Sequence, residues 1–242
     1  MGIKERYFQL DNQWCVVHLP ERPNGFAVLV LGDTNHYVNA KTSFWIQNSG
    51  RNQLLENLRD YGYTIFYSNL YGRNWGSSNS VRLARQLIYC VLKSEILNKR
   101  FYILAEGMGA LVALKLMEVI PKQIRAVAML SPCLDLQAQI EFERENKFFY
   151  KRMLKEIAAA YEMKDDDIPK FAPLSVAKKC IPLKIWQISG VTNYPSGLHC
   201  RKYEELLKTS GCSVSVVYHL PEKRYDFAHG IYRFFEEHND LP

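Results

Sequence analysis

The chain has 242 residues, with 31 Lys+Arg against 25 Asp+Glu, 48% hydrophobic and 13% aromatic residues; that much apolar content buries a real core and excludes a disordered chain. The formal net charge of +6 is modest and the basic residues are interleaved with acidic ones, which argues against the concentrated patch of a nucleic-acid binder. The purest apolar run, Phe26 to Leu31, is far too short for a transmembrane segment of roughly 18 residues, and the opening Met1-Gly2-Ile3-Lys4-Glu5-Arg6 lacks the apolar stretch of a secretory signal.

In chain order, Tyr7 to Leu10 and Trp14 to His18 flank Asp11-Asn12 and read as a hairpin. Further strands are expected at Phe26 to Leu31, Tyr63 to Tyr67, Phe101 to Ala105, Ile124 to Leu130, Leu183 to Ser189 and Val214 to His219. Several are solidly apolar, as parallel strands covered on both faces must be. Helical stripes lie between them: Val81, Ala84, Ile88 and Val91 with Ser80 as N-cap, then Leu111, Leu114 and Met117, then Leu198 to Leu207 and Ile231 to Phe235. Only the segment 136–171 breaks the alternation, with Tyr150, Leu154, Ile157 and Tyr161 on one helical face and Asp165-Asp166-Asp167 ending it. The pattern predicts an α/β fold, a doubly wound, mostly parallel sheet in a single domain over 1–242, with 136–171 as a short helical cap over the strand ends.

The cysteines at 15, 90, 133, 180, 200 and 212 are widely spaced, with no C-x-x-C pair and no paired histidines. No metal site is expected, no cofactor, and the thiols are read as reduced in a cytoplasmic protein.

The most informative stretch is Phe101-Tyr102-Ile103-Leu104-Ala105-Glu106-Gly107-Met108-Gly109-Ala110. A buried strand runs straight into a helix through a turn with small residues at 105, 107 and 109. This resembles the nucleophile elbow of the α/β-hydrolase superfamily, whose flanks are small because the turn is tight. Ala105 and Gly109 satisfy the flanks, and the nucleophile position is then Gly107, which has no side chain. Shifting the register to make Glu106 an acidic nucleophile would place Leu104 and Met108 where small residues are required. Other pieces match in order. Gly32-Asp33 after Leu31 resembles the start of the oxyanion loop, Asn69 to Ser77 the loop after the next strand, and Phe171-Ala172-Pro173-Leu174 with Ile181-Pro182-Leu183 the return from the cap.

The resemblance, nearest to acylglycerol lipases and lysophospholipases, implies an acid after the strand ending at Ser189, where Asn193 stands, and a histidine after the last strand, where His229 and Tyr225 compete. An amide cannot hold an imidazolium by charge. Gly32, Asp33, Glu106 and Met108 fall at the oxyanion-equivalent positions, and the two carboxylates, if turned inward, oppose an anionic intermediate. Substitute nucleophiles are Ser131 and Cys133, with Asp135 as an alternative acid, although a Ser-Pro at a strand end is more simply a turn. Tyr37, Tyr71, Trp75, Tyr194 and Tyr225 are expected around the mouth. The expectation is a non-catalytic protein that binds a small molecule or protein partner. An ester or lipid hydrolase with a displaced nucleophile is the alternative, and a purely structural interaction protein the third reading.

Overall fold

The computed structural model describes residues 4–164, 168, 170–171, 180–190, 192–212, 214–223 and 227–239. Eight strands form one sheet in the order β1-β2-β4-β3-β5-β6-β7-β8. They are β1 Glu5–Leu10, β2 Gln13–His18, β3 Ala27–Leu31, β4 Thr64–Ser68, β5 Phe101–Glu106, β6 Ile124–Leu130, β7 Leu183–Ile188 and β8 Val214–His219. The β1–β2 and β2–β4 pairs are antiparallel, and every other neighbouring pair is parallel. Leu10 opposes Gln13, leaving Asp11 and Asn12 as a two-residue loop at φ 50° and 58°, the left-handed pair that matches strand twist in a tight hairpin.

The central parallel strands β3, β5 and β6 are buried along their whole length because helices cover both faces, whereas the edge strand β8 is partly exposed. On one side lie α3 Ser78–Ser94, α4 Gly109–Val119 and α7 Cys200–Thr209, which bury Leu83, Leu87, Val112, Leu116 and Tyr203 against the sheet. On the other lie α1 Phe44–Gln47, α2 Ser49–Asp60 and α8 Ala228–Glu236, packed through Trp45, Leu54, Leu58, Ile231 and Phe235. The sequence periodicity did not reveal α1 and α2: the stripe of α2 is short, and Arg51 occupies its buried face. Ser80 is not the N-cap of α3. The helix starts one turn earlier, where Ser77 Oγ accepts from Ser80 N–H, and Ser80 is buried inside it.

Segment 136–171 is two helices, α5 Leu136–Glu143 and α6 Lys147–Tyr161, rather than one; Asp165, Asp166 and Asp167 lie outside the described residues. Ile140, Met153 and Ile157 pack on Trp75, Met108, Cys133 and Tyr194. Each of those four follows the C-terminal end of a strand, so α5 and α6 lie over that edge of the sheet. Glu156 ties α6 to the loop after β4, accepting from Arg73 and from Trp75 Nε1 at 3.1 Å, and also takes Arg152 Nε of its own helix at 2.9 Å.

The expectation of six reduced thiols fails at one pair. Cys180 and Cys212, just before β7 and β8, form a disulfide, with Cα atoms 5.4 Å apart, and Cys15, Cys90, Cys133 and Cys200 are free. The strand pairing that brings Leu183 beside Val214 puts the two residues within bridging distance. No helix among the described residues is long and apolar enough to cross a membrane, and no metal-binding cluster is found among them.

Candidate functional site

β5 ends at Glu106 and α4 begins at Gly109, so the chain reverses direction across Gly107 and Met108. Gly107 sits at φ +52°, a left-handed conformation that glycine adopts without steric cost. A Cβ on Gly109 would stand 2.4 Å from the Leu31 carbonyl oxygen, which explains the small residue there. Gly107 N–H donates to Leu130 O at 3.1 Å and its carbonyl accepts from Cys133 N–H at 2.9 Å, so the turn is stitched to the end of β6.

A Cβ built on Gly107 would lie 2.2 Å from Cγ of Asp33 and 2.3 Å from its Oδ1. The carboxylate of Asp33 therefore fills the space that a side chain at 107 would need. Its Oδ1 accepts from Met108 N–H at 2.9 Å and from Tyr194 Oη at 2.7 Å. Burial, with Asp33 next in effect, pushes the Tyr194 phenol well above its ordinary pKa, so it stays a neutral donor. Met108 Sδ accepts from Trp75 N–H at 3.2 Å, which holds the loop after β4 against the same turn.

Glu106 does turn inward. It is buried and paired twice with Arg51, Nε to Oε2 at 2.8 Å and Nη2 to Oε1 at 2.6 Å. A buried carboxylate needs such a partner, and this explains why α2 spends an inward position on arginine. Gly32 is buried, and a Cβ on it would strike the His36 ring at 2.3 Å.

A cavity of about 250 Å³ opens beside the turn. Asp33, Glu106, Gly107, Ser131 and Asn193 line it, together with a wall of Trp186, Phe227, Leu130 and Ile188. The structure thus brings Gly107 and Asn193 to one cavity. His229 is elsewhere: it is exposed, its Nδ1 lies 3.1 Å from Tyr61 Oη, and it does not line the cavity. The physical reason is that α8 starts at Ala228 and carries His229 onto its outer face toward α2. Tyr225 lies outside the described residues. The imidazole that does line the cavity is His219, the last residue of β8, with Nδ1 3.2 Å from Leu220 O. In the sequence it stands only as a strand end.

Ser131 and Cys133 are near but held. Ser131, at φ +40°, accepts from Ile188 N–H at 3.2 Å. Cys133 is fully buried, and burial first, then Asp33 and Asp135, raise its thiol pKa well above normal. Asp135 caps α5 through Ala138 N–H at 2.9 Å and accepts from Lys202 Nζ at 2.7 Å. Of the mouth aromatics, Tyr194 lines the cavity and, with Trp75, a second hollow of about 440 Å³ beneath α5 and α6. Tyr37 and Tyr71 are tied away to Gln47 and Asp11.

Neither a scan against protein families nor a search of curated proteins returns a match to this chain. Solved structures do. The Pyrococcus horikoshii acylaminoacyl peptidase (orthorhombic crystal form) aligns at TM-score 0.67 and 13% identity over 96% of this chain and 41% of its own. The chain therefore spans about two fifths of that peptidase. The Francisella virulence factor BioJ aligns at 0.64 and 15% identity, over 96% and 84%. Est1E from Butyrivibrio proteoclasticus aligns at 0.63 and 11% identity, over 98% and 99%. With the strand order and the β5–α4 turn already described, these likenesses fix the architecture: the chain has the α/β-hydrolase fold.

Proposed function

We propose that this chain is a non-catalytic α/β-hydrolase-fold protein that uses the cavity beside Gly107 to bind a small molecule or a protein partner. One observation carries the reading: the Asp33 carboxylate stands in the space of a nucleophile at 107 and takes the Met108 N–H. Covalent acyl transfer needs an activated oxygen or sulfur at the elbow and vacant donors for the oxyanion that develops there. Gly107 offers neither atom, Asn193 offers an amide in place of an acid, and the donor is already satisfied by an anion that repels a second one. Residues 1–242 act as one unit in this reading, with 136–171 as its helical cap, and no cofactor or nucleic acid enters.

A displaced nucleophile is supported less. Ser131 Oγ is engaged by Ile188 N–H, and Cys133 is driven away from the thiolate that a cysteine nucleophile needs. A purely structural role accords poorly with an open 250 Å³ cavity. The test is turnover: nitrophenyl acetate and butyrate should hydrolyse at the buffer rate. Hydrolysis above that rate that disappears in Ser131→Ala or Cys133→Ala would overturn the proposal.

A further inference from the structure

The outer face of α3 carries a second, independent feature. Residues of α3 from Arg82 to Lys93, Lys99 in the connection that follows, and Ile120 with Gln123 border a groove of about 770 Å³. Its floor is apolar, built from Ile88, Leu92 and Ile120. Its rim is basic, and no acidic residue lines it. Arg82 is already held by Asp11 at 2.9 Å, and the adjacent Glu95 is taken by Arg6. Arg85, Lys93 and Lys99 have no acidic partner within ion-pair distance among the described residues.

Arg85, Tyr89 and Lys93 recur at four-residue steps and so share one face of α3. Lys93 Nζ lies 5.8 Å from the centre of the Tyr89 ring; Tyr89 is 68% exposed, and Ile96, just past the helix, is 99% exposed. A scattered surface isoleucine needs no explanation. Here, however, a bare tyrosine stands among three cations on the lining of an apolar groove, and a bare isoleucine follows two residues after the helix that carries the tyrosine.

We propose that this face docks the protein on an anionic phospholipid bilayer. Ile96 and Tyr89 enter the interfacial layer while Arg85, Lys93 and Lys99 meet headgroup phosphates, their aliphatic stems lying along apolar surface. A nucleic acid fits less well, because its phosphate ladder asks for a continuous polar stripe and not an apolar floor. Geometry leaves the cavity free. The groove lies where β5 and β6 begin, at Phe101 and Ile124, whereas Gly107 follows the end of β5. A membrane at one edge of the sheet therefore leaves the other open to solvent. The inference does not depend on what the cavity binds.

The experiment is cosedimentation with vesicles of phosphatidylcholine alone and of phosphatidylcholine mixed with phosphatidylglycerol. The protein should partition onto the mixed vesicles at low salt, be released by high salt, and ignore the neutral ones. Lys93→Glu with Lys99→Glu should weaken partitioning at least tenfold, since each cation near such a surface contributes about fivefold. Ile96→Ser should weaken it without altering charge. All three positions are at the surface, and matching melting curves verify that the variants fold. Equal binding to neutral vesicles, no binding at all, or indifference to the Lys93/Lys99 double variant would overturn the proposal. Displacement by inorganic phosphate would reassign the groove to small anions, and tighter binding of a DNA oligonucleotide would reassign it to nucleic acid.

Discussion

Asp33 and Gly107 occupy one volume, and this makes their relationship measurable. Gly107→Ser alone must displace a carboxylate 2.2 Å from the new Cβ and hold a serine at φ +52°; it should cost about 2–3 kcal/mol of stability. Asp33→Ala clears the space, so the double variant should be more stable than the sum of the singles by about 1 kcal/mol or more. Denaturant melts of the four proteins give that coupling, and strict additivity would mean that the two side chains do not compete. Tyr194→Phe removes the other donor to Asp33 and should cost about 1.5–3 kcal/mol, as the loss of a hydrogen bond to a charged group does. The glycine at 107 was legible because the elbow pattern is local, and the amide at 193 because it follows a recognisable strand end. The placement of Asp33 was not, since it depends on the parallel pairing of β3 with β5, which sets Leu31 beside Ala105. The sequence left open whether Glu106 turns inward for the same reason: its partner Arg51 is 55 residues away.

At the scale of elements, the strands were the most legible part, because burial on both faces leaves unbroken apolar runs. The helix α2 escaped detection because its inward face holds Arg51 beside Leu54, Leu55 and Leu58, and a charge there breaks the stripe. His229 failed as a cavity residue by geometry: the helix that carries it begins at Ala228 and turns that side chain outward. For α6, the decisive contact is Glu156, whose side chain is 15% exposed and meets Arg73, Arg152 and Trp75. Glu156→Ala should loosen this helix locally. Amide exchange across Lys147–Tyr161 should quicken about tenfold or more while β5 and β6 stay protected. Unchanged exchange in that helix would show that its apolar contacts hold it without the ion pairs.

Across the whole molecule, two of the buried histidines, His36 and His199, contribute to the response to acid. Burial lowers the pKa of both His36 and His199 from 6.5 to about 4. His199 accepts at Nδ1 from the backbone N–H groups of Leu134 and Asp135, and its Nε2 faces Gln139 Oε1 at 3.0 Å, an arrangement that suits the neutral ring. Between pH 6.5 and 4 the unfolded chain binds protons that the folded one refuses, so stability is full above pH 6.5 and falls as pH falls. Each ring contributes a slope of about 1.4 kcal/mol per pH unit in that window. Denaturant midpoints at successive pH values should show it, and His199→Asn should remove roughly half; a flat profile down to pH 5 would contradict both assignments. Cys180–Cys212 spans 32 residues, and its reduction should cost about 3–4 kcal/mol. Thiol titration of the unfolded, unreduced protein should count four free groups; six would restore the expectation that all the cysteines are reduced. The central claim is that the site beside Gly107 holds its own anion and no nucleophile. Intact-mass spectrometry after prolonged exposure to a fluorophosphonate probe tests this most directly. The account predicts the unmodified mass throughout; a stoichiometric adduct mapped to Ser131, Cys133 or another residue of that cavity would contradict it.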